Sequence, residues 1–399
     1  MTTVRLHPLH MRAEQRGDER EWVVGRVETG EFIAVPPVAA DVIMLLRDGL
    51  SIDEAHRRIR REQDRDVNVA EFVDSLTELG FVEAVDGVPV PGHEPAPPTF
   101  PRLRARHVRW LVSTPFLIAV AALTAAAVVA LSTRQELVPS YGDLLWTTRT
   151  TPVLLGGIVV AWILIGLHEV GHLATARAFG VNGKISFSTQ LQFLVAQTDV
   201  SGIWGAPRRA RMIVYLSGMG VNVAAASTAI LVRVFATPGS LTDRIAALVV
   251  ITSLLSLPGQ LLMFMRTDLY FVLQDLTGCR NLYADGAAYV RRKLRLSGDD
   301  PMPRLPAHER TAVRAYAVAL AVGTVLCLGV FAVVSLPFVV AVIGRLAGSL
   351  TGDGGAAGLL DALVTFSVSA AYWTLWGRAW WRRHGDRVRR VRRRAPHTA

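Results

Sequence analysis

Six long apolar stretches constrain this chain more than any other feature. From Val108 onward, runs at roughly 108–131, 152–177, 212–235, 245–265, 312–344 and 357–377 are each long enough to cross a hydrocarbon layer of about 30 Å, which takes about 20 residues at ~1.5 Å of rise. Backbone amides inside lipid must be satisfied within their own segment, so such runs must be helices. Composition agrees, because 51% of the 399 residues are hydrophobic and only 19% are charged, too apolar for an ordinary soluble enzyme. The same figures exclude disorder and collagen. Two cysteines, Cys279 and Cys327, lie far apart and indicate neither a disulfide framework nor a thiolate metal site. The predicted fold class is an α-helical polytopic membrane protein of about six transmembrane helices, with a bend at Pro337 in the fifth.

Charge placement orients these spans. The net charge of +10 is almost all arginine, Lys184 and Lys293 being the only lysines. Arginines crowd residues 102–109, 208–211, 266–310 and the tail at 382–399, whereas 132–151 and 346–356 hold no such cluster. By the positive-inside rule this predicts a multi-pass protein of the cell membrane with both termini cytoplasmic. Trp146, Trp373, Trp376, Trp380 and Trp381 stand at span ends, as aromatic-belt residues should. The basic tail reads as an anchor on anionic membrane lipid, and no nucleic-acid partner is expected.

Ahead of the spans no signal peptide is legible. Residues 1–20 read as an N-terminal tail and 21–90 as a small α+β, winged-helix-like domain. Trp22–Val24 and Phe32–Val35 are β-prone runs around the hairpin signal Glu28-Thr29-Gly30-Glu31. Apolar residues from Val38 to Leu46 recur at helical spacing. Ser51 with Glu54 and Asn68 with Glu71 have the spacing of capping boxes, and Gly80 stands where a helix-ending glycine is wanted. Phe81–Val85 closes the domain as a strand. Residues 91–107 are a Pro-rich linker, 108–381 the membrane domain and 382–399 the basic cytoplasmic tail.

The chemistry concentrates in one span. His168-Glu169-Val170-Gly171-His172 fits HExxH, which on a helix puts both imidazoles on one face and the glutamate about 100° round, placed to act on water rather than to ligate. Ionisable groups inside a span cost a few kcal/mol each and persist mainly for function. From Pro152 to Leu167 the helix rises ~24 Å, so His168 lies in the cytoplasmic third of the membrane. The fourth span runs back towards the same side and ends at Arg266-Thr267-Asp268. His168, His172 and Asp268 thus form a candidate three-ligand set for one zinc ion per chain, leaving a fourth position open. Ile185–Val195 alternates apolar and polar residues, the period of a half-buried strand, to which an extended substrate could pair.

HEVGH within a span, followed by Thr198-Asp199-Val200-Ser201, Trp204, Gly218-Met219-Gly220-Val221-Asn222 and Thr267-Asp268-Leu269-Tyr270-Phe271 with Asp275 and Asn281-Leu282, resembles the site-2 protease family of intramembrane zinc metalloproteases. The likeness covers roughly residues 150–285 and is strongest to the bacterial branch of putative peptide zinc metalloproteases. It implies His168, His172 and Asp268 as zinc ligands, Glu169 as general base and Asn222 as a substrate-holding residue. Two positions depart from the family's pattern: Gly218-Met219 replaces its Gly-Pro, and Asp268-Leu269 its Asp-Gly. The front domain resembles the peptide chaperone of pyrroloquinoline-quinone biosynthesis, the recognition element of ribosomal peptide modification. That likeness implies a leader peptide as partner. Together these features predict a zinc metalloendopeptidase acting on a membrane-associated protein or peptide precursor. The alternative is a membrane-anchored peptide-binding or export-associated protein whose metal site is structural or vestigial.

Overall fold

The structure is a computed structural model. It describes residues 2–394 apart from 17–18, 93, 96, 141–142, 145–149, 191–192, 280, 297–299, 333–335, 337–339, 341–342 and 345–354. The expected bend at Pro337 and the belt residue Trp146 lie outside the described residues. The chain forms two compact units. One comprises Met1–Ser113, His172–Lys184 and Thr198–Val214, the other Thr114–Gly171, Ile185–Gln197 and Tyr215–Ala399.

In the first unit the expected hairpin forms. Strands β3 (Glu19–Arg26) and β4 (Glu31–Val35) pair with Val24 opposite Ile33. The turn closes through the Gly30 amide on the Arg26 carbonyl at 2.9 Å, with Gly30 at φ +73°. Helices α1 (Pro37–Arg47), α2 (Ile52–Gln63) and α3 (Val69–Glu78) follow, then β5 (Val82–Val85) and a short β6 (Val88–Pro89). Val24, Val42, Ile43, Leu46, Ile59, Leu76 and Phe81 fill one core. Gly80 adopts φ +70° just past α3, as a helix-ending glycine should.

Residues 1–20 are not a tail. They contain β1 (Val4–Leu6), which pairs with β5, and β2 (His10–Arg16), which pairs with β3 along its whole length. The sequence His10-Met11-Arg12-Ala13-Glu14-Gln15-Arg16 holds no β-branched residue. Cross-strand pairing rather than intrinsic preference makes it a strand. The linker is tied down at Thr99, whose amide donates to the Gly183 carbonyl at 3.0 Å.

Among the described residues five helices, rather than the six expected, are long and apolar enough to cross a membrane: Thr114–Thr133, Thr151–Ala178, Arg208–Phe235, Ala307–Gly329 and Gly358–Arg382. They belong to α5 (Thr114–Thr133), α6 (Thr150–Ala178), α7 (Arg208–Phe235), α11 (Ala307–Val330) and α12 (Gly355–Arg394), and α6 and α7 contribute to both units. The mostly helical chain is therefore consistent with a membrane-embedded protein. Between α7 and α11 come α8 (Leu241–Gly259), α9 (Asp268–Thr277) and α10 (Leu282–Lys293), with a short α4 (Ala105–Val108) before α5. The expected span 245–265 corresponds to α8, which begins four residues earlier and stops at Gly259, directly after Pro258. Helix α12 runs to Arg394, through most of the stretch read as a tail, with no proline between Gly355 and Arg394 to stop it. Residues 185–195, expected as one strand, divide between β7 (Lys184–Gln190) and β8 (Phe193–Asp199), which pair with each other.

The N-terminal cap of α2 is a full capping box: the Glu54 amide donates to the Ser51 hydroxyl while the Glu54 carboxylate accepts from the Ser51 hydroxyl at 2.6 Å and its amide at 2.9 Å. These bonds hold the Glu54 carboxyl below its ordinary value. A depressed carboxyl adds stability above its unfolded value and gives it up as pH falls through the lower folded one. Ser51→Ala removes this cap and should lower the stability of the first unit near neutral pH. The deficit should shrink in acid, as read from amide exchange of residues 52–63 in the full-length protein.

Candidate metal centre

Helix α6 carries His168, Glu169 and His172, all of them buried. Since α6 is continuous, the i, i+4 spacing puts both imidazoles on one face. Gly171 explains the small residue inside HEVGH. A Cβ there would lie 2.8 Å from the Val221 side chain and 3.4 Å from the Ser217 carbonyl, so glycine lets α7 approach α6 closely.

That approach sets the partner of His168. Asn222, 4% exposed, lies on α7 one residue beyond Val221, and its side-chain nitrogen is 3.2 Å from His168 Nδ1. The same nitrogen donates to Ser256 Oγ on α8 at 2.9 Å, and the Ser256 hydroxyl donates to the Ser253 carbonyl at 2.6 Å. Asn222, expected to hold substrate, thus stands against an imidazole expected to hold metal. The other nitrogen of His168, Nε2, lies 2.9 Å from Asp268 Oδ2. His172 Nδ1 lies 2.8 Å from the Val214 carbonyl. Carbonyls accept only, so Nδ1 carries the proton and Nε2 is left with its lone pair, the tautomer that a metal-binding imidazole needs.

Asp268 is delivered by a stapled loop. After α8 a 3-10 turn, Met263–Met265, is pinned to α11: the Tyr316 hydroxyl donates to the Met263 carbonyl at 3.1 Å, and a Cβ at Gly323 would run into the Phe264 ring. Arg266 then takes the left-handed conformation at φ 56°, its guanidinium 5.6–6.0 Å from the rings of Tyr270, Phe271 and Tyr283. Gln260 closes the loop, its carbonyl accepting from Thr267 Oγ1 at 2.6 Å and its side-chain oxygen from the Asp268 amide at 3.0 Å. Asp268 becomes the first residue of α9. Burial pushes the Tyr270 phenol above its ordinary value, so its neutral hydroxyl serves as acceptor for the Tyr283 amide at 3.1 Å.

One donor atom from each of His168, His172 and Asp268 lies within 4.8 Å of the other two. Donor atoms this close together could hold one metal ion. Two borderline imidazoles and one hard carboxylate are compatible with several divalent metals, zinc among them. All three predicted ligands converge, and Glu169, adjacent to His168, is buried beside them in sequence. Sequence reasoning missed the Val214 carbonyl, Ser256 and Gln260. A backbone acceptor carries no residue signature, and a serine or glutamine in an apolar run signals nothing without its partner.

No protein-family model, curated protein or solved structure matches the chain.

Replacing Asp268 by alanine removes the sole carboxylate of the set. Metal retained after gel filtration, measured by atomic emission, should fall well below that of the wild-type chain loaded in the same way.

Proposed function

We propose that this protein is an intramembrane zinc metalloendopeptidase that cleaves a membrane-associated protein or peptide precursor. The observation that carries the reading is the convergence of His168, His172 and Asp268 on one point, with Glu169 next to the first of them in a helix long and apolar enough to span a membrane. His172 would offer Nε2, His168 a ring nitrogen and Asp268 a carboxylate oxygen. When bound there, zinc supplies polarisation of a carbonyl and a lowered pKa for an attacking water.

The rest falls to residues of this chain. Glu169 takes the proton of the attacking water and passes it to the leaving amine. Val214 keeps the His172 proton on Nδ1, and Asn222 with Ser256 holds the plane of His168. The hairpin β7–β8 offers strand edges on which an extended segment can be read by main-chain hydrogen bonds, with Phe187 exposed on it. That mode suits a peptidase, since a helical peptide bond is shielded from attack until unwound. The chain would lie in the cell membrane with both termini in the cytoplasm, its arginine-rich tail against anionic lipid. A leader peptide at the N-terminal domain is the further partner this reading supplies.

Glu169→Gln should keep its zinc and lose peptide cleavage by at least a hundredfold, measured by mass spectrometry of candidate precursors co-expressed with each form. Cleavage at the wild-type rate would sink the general-base role. Reporter fusions test the orientation separately. A fluorescent protein that matures only in the cytoplasm should light up at both termini, whereas a periplasmic phosphatase should stay inactive there.

A further inference from the structure

Within the first unit an unbroken series of contacts leads from the N-terminal strands to His172. The 3-10 turn Ser201–Gly205 lies against β2, β3 and β4 so closely that glycine is required on both sides. A Cβ at Gly30 would stand 2.7 Å from Ser201 Cβ, one at Gly202 would stand 2.6 Å from the Val27 carbonyl, and one at Gly205 would stand 2.9 Å from the His10 ring. Directly after this turn α7 begins. Its Arg211 side chain is only 2% exposed and reaches Glu14 Oε1 of β2 at 3.3 Å. The same guanidinium donates to the Ala206 carbonyl at 3.1 Å and lies 5.7 Å over the Trp204 ring. Three residues on, one helical turn away, the Val214 carbonyl meets His172 Nδ1 at 2.8 Å.

We infer that Arg211 and Glu14 are positioning residues for His172: the N-terminal strands grip the first turn of α7 and thereby set the Val214 carbonyl that orients the imidazole. Glu14, 39% exposed and also 3.5 Å from Arg12, is one of the contacts that hold the almost fully buried Arg211. Its removal loosens the first turn of α7 and is expected to shift the Val214 carbonyl. Outer partners of metal-bound histidines commonly change metal affinity by about 10–100-fold, and Glu14 acts one step further out. The N-terminal domain is then part of the metal centre's support, and a ligand on its strands would be felt at His172. The consequence for metal rests on the zinc reading above; the contact series does not.

The test uses the full-length protein in detergent micelles, comparing wild type, Glu14→Ala, Glu14→Gln and Trp204→Leu. Without metal, amide exchange over residues 172–183 and 208–214 should accelerate in Glu14→Ala. With metal, Zn²⁺ affinity measured against a competing chelator should drop about tenfold, and the visible spectrum of bound Co²⁺ should change. Glu14→Gln, which can still accept from Arg211, should recover most of both. Trp204→Leu keeps the ion pair and should shift both readouts less, in the same direction, even if Glu14→Ala fails to fold. Unchanged exchange over 208–214 in every variant that folds would overturn the inference, and so would wild-type Zn²⁺ affinity and Co²⁺ spectrum despite faster exchange. A wild type that takes up neither Zn²⁺ nor Co²⁺ defeats the zinc reading alone, since the exchange comparison still decides the contact series.

Discussion

An ionisable side chain buried in an apolar helix bundle survives only if its charge and its protons are matched by neighbours, and the arrangement of α6 to α9 follows from that requirement. Leaving such groups unmatched costs a few kcal/mol each, against a whole-domain stability of only about 5–15 kcal/mol. The matching here is specific: Asp268 to His168, His168 to Asn222, Asn222 to Ser256, and His172 to the Val214 carbonyl. Every link joins residues from different segments. Were α7 to stand an ångström further from α6, the Asn222 contact would be lost. Gly171 is for that reason as much a part of the site as the residues either side of it.

Legibility in the sequence tracked how local each signal is. The Ser51–Glu54 box, the hairpin turn at Gly30 and HEVGH each fit within five residues, and each stands in the structure where its spacing put it. Asp268 lies a hundred residues from His168 and was reached by placing the ends of two apolar stretches at one depth. Of the two helices concerned, α6 is long and apolar enough to cross a membrane and α8 is not among those that are. The strands β1 and β2 were not legible, because His10–Arg16 is polar and becomes a strand only by pairing with β3. Period alone could not show where the 185–195 stretch folds back. Asn222 was picked out through resemblance and given to substrate; its hydrogen bond to His168 depends on the α6–α7 approach, which no spacing within either helix reveals.

The departure at Leu269 illustrates how far a motif letter can mislead when its backbone is unknown. A glycine after the aspartate suggests a turn that needs a positive φ at that place. Here Leu269 lies inside α9, and the positive φ falls three positions earlier, at Arg266. A left-handed non-glycine residue costs roughly 1–2 kcal/mol, and a guanidinium over an aromatic face returns about 0.5–1 kcal/mol or more where it is desolvated. Arg266 lies within 6.0 Å of three such rings. Together with the two Gln260 bonds, these contacts present Asp268 without any demand on residue 269.

Glycine does its structural work elsewhere in this chain. Gly171 lies within α6, and Gly202 and Gly205 lie in the 3-10 turn before α7. In space each marks a backbone or ring approached more closely than a methyl group allows. The first brings α7 to α6, and the other two bring the turn before α7 to the N-terminal strands. Within the first unit the first turn of α7 is held at Arg211, and one turn further on the Val214 carbonyl is the acceptor that His172 Nδ1 uses.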